Sequence, residues 1–233
     1  MNSLEGKIVA ITGGWGSLGL ATARVLAERG ARIALIGRSD KAEALPAPLA
    51  DACLVTGIDL TDAQAAQKGI DTIVQRLGGL NALVNVAGAF SWETIADGSV
   101  DTWQSMFDVN VKTALNASKA ALAQLSGSAG GRIVNIGAMA AMKAGMGMGA
   151  YAASKSALLR LTEALAEELK DKGVTVNAVL PSIIDTAPNR RDMPDADFSR
   201  WVKPEELGAV IAFLLSADAQ CITGALIPVT GRV

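Results

Sequence analysis

Along the chain, short β-branched runs that are apolar at nearly every position alternate with longer stretches whose apolar residues recur every three or four positions. The runs Ile8–Thr12, Arg32–Ile36, Leu54–Thr56, Ala82–Asn85, Arg132–Ile136, Val174–Leu180 and Ala225–Val229 read as buried strands. The periodic stretches read as helices: Leu18–Arg29 closed by Gly30, a segment from Thr61 to Leu77, Val100–Leu125, Gly149–Lys170 ended by Gly173, and Pro204–Leu215 opened by its proline. Thr61 is the expected cap of the second helix, with Gln64 completing a capping box. Strand–helix alternation with strands apolar on both faces predicts a doubly wound parallel sheet covered by helices on both sides. The 233 residues fit one such α/β domain, 1–233, without repeat or linker. The stretch 185–200, rich in Pro, Asp and Arg, is long for a plain connection and is expected to be a substrate loop.

Composition narrows the chemistry. The 21 basic and 23 acidic residues leave a net charge of −2, which argues against nucleic acid or an anionic membrane as partner. The N-terminus lacks a basic, then apolar leader, and the apolar run 209–215 is far short of the roughly 20 residues that span a bilayer, so a cytoplasmic protein is expected. The two cysteines, Cys53 and Cys221, lie far apart in apolar runs and read as free thiols. Histidine is absent, which removes the commonest general base and metal ligand. No metal site is expected, and acid–base work falls to carboxylate, lysine, tyrosine or cysteine.

Directly after the first strand comes Gly14-Trp15-Gly16-Ser17-Leu18-Gly19, opening the first helix. Glycines there let the chain turn tightly and bring backbone N–H groups to a pyrophosphate at a helix N-terminus, the mark of a Rossmann-like dinucleotide site. The second strand ends at Ile36 and is followed not by the acidic residue that holds adenosine-ribose hydroxyls but by Gly37 and Arg38, the latter able to pair with a 2′-phosphate. NADP(H) is therefore favoured, with NAD(H) open, and an aspartate placed at Gly37 is expected to tilt the preference towards NADH.

The chain resembles the short-chain dehydrogenases/reductases over essentially its full length. The likeness rests on Thr12-Gly13 with Gly19, Asp59-Leu60, Asn85-Val86-Ala87-Gly88, Asn110, Tyr151-Ala152-Ala153-Ser154-Lys155, Pro181 with Ile184 and Thr186, and the close around Ile222-Thr223-Gly224. The resemblance implies that Asp59 and Leu60 hold the adenine and that Asn85, Ala87 and Gly88 border the adenosine ribose. It implies that Pro181, Ile184 and Thr186 border the nicotinamide. Tyr151 would move the substrate's proton, Lys155 would activate it and bind ribose, and Asn110 would hold a water of the proton relay. Tyr151 is the only tyrosine, and Lys155 follows it by one helical turn, where an ammonium is expected to lower the phenol's pKa.

Two positions depart from the family pattern: Ser17 replaces a glycine, and Ala138, thirteen residues before Tyr151, replaces a catalytic serine. The leading expectation is an NAD(P)H-dependent carbonyl reductase or alcohol dehydrogenase, with 3-oxoacyl thioesters among its candidate substrates. A reductase of a C=N bond or pterin-like ring, and a dinucleotide-binding module impaired in turnover, stay open. Ser182 and Ser91 are the candidates to replace the missing hydroxyl. Phe90, Ser91, Trp92 and the methionine-rich stretch Met139–Met148 are expected near the substrate, and Arg190 and Arg191 read as solvated loop charges. By family likeness the helices of 100–125 and 149–170 are expected to form the contacts of a homotetramer or dimer.

Overall fold

The computed structural model describes residues 3–39, 45, 47–128 and 130–233. Seven strands form one sheet: β1 (Ile8–Thr12), β2 (Arg32–Ile36), β3 (Cys53–Val55), β4 (Ala82–Asn85), β5 (Arg132–Ile136), β6 (Thr175–Pro181) and β7 (Leu226–Val229). Their order across the sheet is β3-β2-β1-β4-β5-β6-β7, and every pairing is parallel. This is the expected doubly wound sheet.

Alternating side chains of each strand enter opposite cores, as the two-residue period of a strand requires. Ile8, Ala10 and Leu83 meet α2 (Ala63–Leu77) through Ile70 and Ile73, α4 (Thr113–Gly127) through Ala117 and Leu125, and α5 (Gly149–Leu169) through Leu165. Val9, Ile11 and Val84 meet α1 (Ser17–Ala27) through Ala23 and Leu26, and α7 (Pro204–Leu215) through Leu207 and Ile211. The chain leaves β1 towards β2 and β3, then returns to place β4 on the other side of β1. Ligands of open α/β sheets bind at such a switch point, beyond the carboxyl ends of the strands.

Some expected boundaries shift. The cap of α2 is Asp62, whose carboxylate accepts from the N–H groups of Gln64 and Ala65 at 2.7 and 2.8 Å. Thr61 instead gives its hydroxyl to Asp59. The strand expected at 54–56 lies one residue earlier, and that expected at 174–180 one residue later, within the usual scatter of element ends. The helix expected over 100–125 is α3 (Val100–Phe107), a π turn at Asp108–Lys112, then α4. The stretch 185–200, expected to be a loop, contains α6 (Ala187–Asp192), capped by Thr186, and a single 3-10 turn at Phe198–Arg200.

Candidate active site

The glycine-rich loop is shaped by steric demands that can be named. Gly13 sits at φ +62°, and a Cβ there would stand 2.9 Å from the backbone of Ala87, so both its conformation and its neighbour call for glycine. The first helix opens at Gly16 with no side chain capping it, in contrast to α2, capped by Asp62, and α3, capped by Ser99. Gly16 N–H donates to Gly13 O at 3.0 Å, closing the turn, and the uncapped start leaves the first-turn N–H groups of Ser17, Leu18 and Gly19 suited to an anion.

Across the switch point, Thr12 and Asn85 are register partners, and so are Asn85 and Asn135. The buried Thr12 hydroxyl accepts from the N–H groups of Val86 and Ala87 at 3.0 and 3.1 Å, fixing the loop after β4. The side chain of Asn85 faces the sheet interior. It donates to Asn135 Oδ1 at 2.8 Å and to Ser118 Oγ at 3.2 Å, so any part it plays in the cleft belongs to its backbone.

A cavity of about 150 Å³ lies beside this loop, lined by Gly13, Gly37, Arg38, Asp59, Leu60 and Gly88 among others. The Thr61 N–H and hydroxyl, with a smaller contribution from Arg38, hold the Asp59 carboxyl below its usual range. Asn116 donates to the carbonyls of Leu60 and Thr61 and so sets the floor of this end. Gly13 at the head of the glycine loop, Asp59 and Leu60, and the Ala87-Gly88 turn thus share one cavity with polar and apolar walls. The residues fit a dinucleotide.

Gly88 joins that cavity to the catalytic candidates: a Cβ on it would lie 2.8 Å from Asn110 Oδ1 and 3.4 Å from Lys155 Nζ. Asn110 occupies the π turn, which turns its side chain inward. Its Oδ1 accepts from Ala89 N–H, while its Nδ2 donates to Ala89 O and to Ser154 Oγ, each at 3.0 Å. Ser154 in turn donates to the carbonyl of Tyr151 at 2.8 Å. One serine therefore ties Asn110 to the helical turn that carries the tyrosine. No role was expected for Ser154; the signal for it in the sequence is its place on the same turn as Tyr151 and Lys155.

Lys155 is buried and donates to Ile136 O at 2.7 Å, and desolvation lowers its pKa to about 8. Tyr151 meets Phe90 edge-on, with ring centroids 5.0 Å apart. Burial pushes its phenol up to about 12. The expected lowering by the neighbouring ammonium is thus corrected: burial raises the phenol instead, and the Lys155 amine is bonded to a backbone carbonyl.

Ala138 is buried at the end of β5 in extended conformation. Of its expected substitutes, Ser182 donates its hydroxyl to Thr230 O at 2.7 Å and has no proton left for a substrate. Ser91 follows Phe90 in the chain and is partly exposed. Pro181, Ile184 and Thr186 stand at and beyond the end of β6, two strands from β4. Arg190 is bidentate to Asp185 and lies over the Phe198 ring, 4.7 Å from its centroid, so it is not free to meet an anionic substrate. Among the described residues no His/Cys/Asp/Glu group could hold a metal ion, and no helix is long and apolar enough to cross a membrane.

The family model described as short chain dehydrogenase matches residues 7–197. The chain is 33% identical to 2-(S)-hydroxypropyl-CoM dehydrogenase 3 of Xanthobacter autotrophicus, covering 99% of this chain and 97% of that protein. It is 29% identical to the 3-oxoacyl-[acyl-carrier-protein] reductase of Vibrio cholerae, covering 98% of each. Among solved structures it is similar to NAD+-bound xylitol dehydrogenase, with a TM-score of 0.89, 29% identity, and 98% and 99% of the two chains covered.

Proposed function

Because the chain belongs to the short-chain dehydrogenase family, we propose that it reduces a carbonyl, or oxidises the matching alcohol, with Tyr151 as general acid and base. The observation that carries this reading is the convergence of Asn110 and Lys155 on Gly88, beside the cavity lined by the glycine loop and one turn of α5 from Tyr151. Bound in that cleft, a nicotinamide dinucleotide supplies or accepts the hydride. The chain's own residues do the rest. Gly13, Trp15, Gly16, Ser17, Leu18 and Gly19 border the pyrophosphate side, Asp59 and Leu60 the adenine, and Ala87 and Gly88 the ribose. Pro181, Ile184 and Thr186 border the nicotinamide. In reduction, the protonated Tyr151 hydroxyl gives its proton to the substrate oxygen as hydride reaches the carbon; in oxidation it takes that proton back. Lys155 holds ribose, and Asn110 keeps the π turn in place for a relay water.

NADP(H) is favoured because Arg38 borders the cavity while Gly37 offers no carboxylate; the NAD+-bound relative keeps NAD(H) in view. Val100, Trp103 and Phe107 form an exposed i, i+3, i+7 stripe on α3, which favours assembly into a homotetramer or dimer. A cytoplasmic setting fits the free thiols Cys53 and Cys221. The alanine at 138 favours a second reading within the same chemistry: a C=N or pterin-like substrate that needs no serine donor, or a carbonyl served by Ser91.

A cofactor-absorbance screen over aldehydes, ketones, 3-oxoacyl thioesters and dihydropterins tests these readings. Turnover should appear in one class and fall at least about a hundredfold in Tyr151→Phe, with cofactor affinity kept, the scale of a lost general acid. Turnover that survives this substitution rejects the role of Tyr151. Cofactor binding without turnover in any class moves the assignment to a non-catalytic dinucleotide module.

A further inference from the structure

Gly37 directly follows β2 and lines the cavity, its N–H bonded to Val55 O and its carbonyl accepting from Ile58 N–H. Its φ lies outside the left-handed region, so the backbone itself would admit any L-residue. What excludes a side chain is Trp15. A Cβ on Gly37 would lie 2.5 Å from indole Cε3 and 2.7 Å from Cζ3, and the third atom it would meet, at 3.7 Å, also belongs to that indole. The indole packs against the apolar cluster that includes β2 and α1. Among the described residues its Nε1 is buried without a hydrogen-bond partner, so packing holds the ring there.

From this we infer that Trp15 and Gly37 form a size-matched pair that sets cofactor choice. The indole fills the volume from which a carboxylate on residue 37 would reach the two ribose hydroxyls, and Arg38 is left as the side chain facing that end. This inference rests on the dinucleotide reading of the cleft. It also corrects the expectation that Gly37→Asp alone turns preference towards NADH: the new side chain collides with a ring seated between a helix and a strand.

The test combines thermal melting with NADPH and NADH titrations of the wild type, Trp15→Ala, Gly37→Ala, Gly37→Asp and the two double variants. Gly37→Ala should lower the melting temperature when Trp15 is present and cost little when residue 15 is alanine. Gly37→Asp should weaken both cofactors at least tenfold, and adding Trp15→Ala should restore NADH binding while NADPH stays weak. A Gly37→Asp chain that fails to fold but is rescued by Trp15→Ala supports the pairing equally. Additive melting shifts, or a lone Gly37→Asp that tightens NADH, overturn it. Should the wild type bind neither cofactor, the dinucleotide reading fails, while the melting cycle still decides whether residues 15 and 37 are coupled.

Discussion

At the end of the cleft proposed for adenosine, between β1, β2 and the turn after β3, the walls are largely backbone: the bare start of α1, Gly13 against Ala87, and Gly37 against an indole. At the catalytic end, side chains hold one another: Thr12 the loop after β4, Asn110 that loop and Ser154, Ser154 the carbonyl of Tyr151. Backbone N–H groups serve an anion whatever side chain they carry, so Ser17 can stand where the family has glycine. A buried side-chain network has no such freedom, because each member left unpaired pays a desolvation cost. The two ends should therefore respond differently to substitution.

The largest effect on stability is expected at Lys155. Its folded pKa of about 8 lies below the ordinary 10.5. Between those values the unfolded chain holds a proton that the folded chain has released, so stability rises with pH. The rise should reach about 2 kcal/mol by pH 10 relative to neutral pH and vanish in Lys155→Met. Tyr151, raised to about 12 from 10.0, acts in the opposite sense as pH approaches and passes 10. Urea unfolding of both chains from pH 7 to 10 reads this directly; parallel profiles would refute a desolvated lysine.

Ser154→Ala breaks the link between Asn110 and α5. It should cost about 1–3 kcal/mol of stability, the scale of a buried polar group left unpaired, and lower kcat with little change in cofactor affinity. A loss of stability with kcat intact would make Ser154 merely structural. At the other end, Arg38→Ala should weaken NADPH by about 1–3 kcal/mol and leave NADH nearly untouched. Equal losses in a side-by-side titration would dismiss the 2′-phosphate assignment.

Ala138→Ser carries the smallest expected change, a several-fold gain on simple ketones. A hydroxyl there adds a donor for charge developing on the substrate oxygen, at a position now occupied by a small residue. If steady-state rates do not move and Ser91→Ala abolishes turnover, the donor resides at Ser91.

The comparison of the two ends also explains what could be read beforehand. The glycine loop, Asp59 and the Tyr151–Lys155 spacing are local patterns, and local patterns survive in a linear string. The roles of Ser154 and Trp15 were hidden because each acts on a residue distant in sequence, Asn110 and Gly37, and a 3.6-residue period says nothing about such partners. Likewise the sequence pattern of 100–125 is that of one helix; the π turn within it is enforced by the bonds of Asn110 to Ala89 and Ser154.

By itself the sequence determined the parallel doubly wound sheet and the end of it that carries the site. Strand and helix periods are short-range, and a parallel crossover leaves few ways to close. Only the tertiary structure decided that burial raises the Tyr151 phenol rather than leaving it lowered, that Asn85 and Ser182 spend their hydrogen-bond donors on the protein itself, and that an indole occupies the space beside Gly37. Burial, hydrogen-bond partners and excluded volume are set by whichever segments the fold brings within a few ångströms, and no local pattern encodes them.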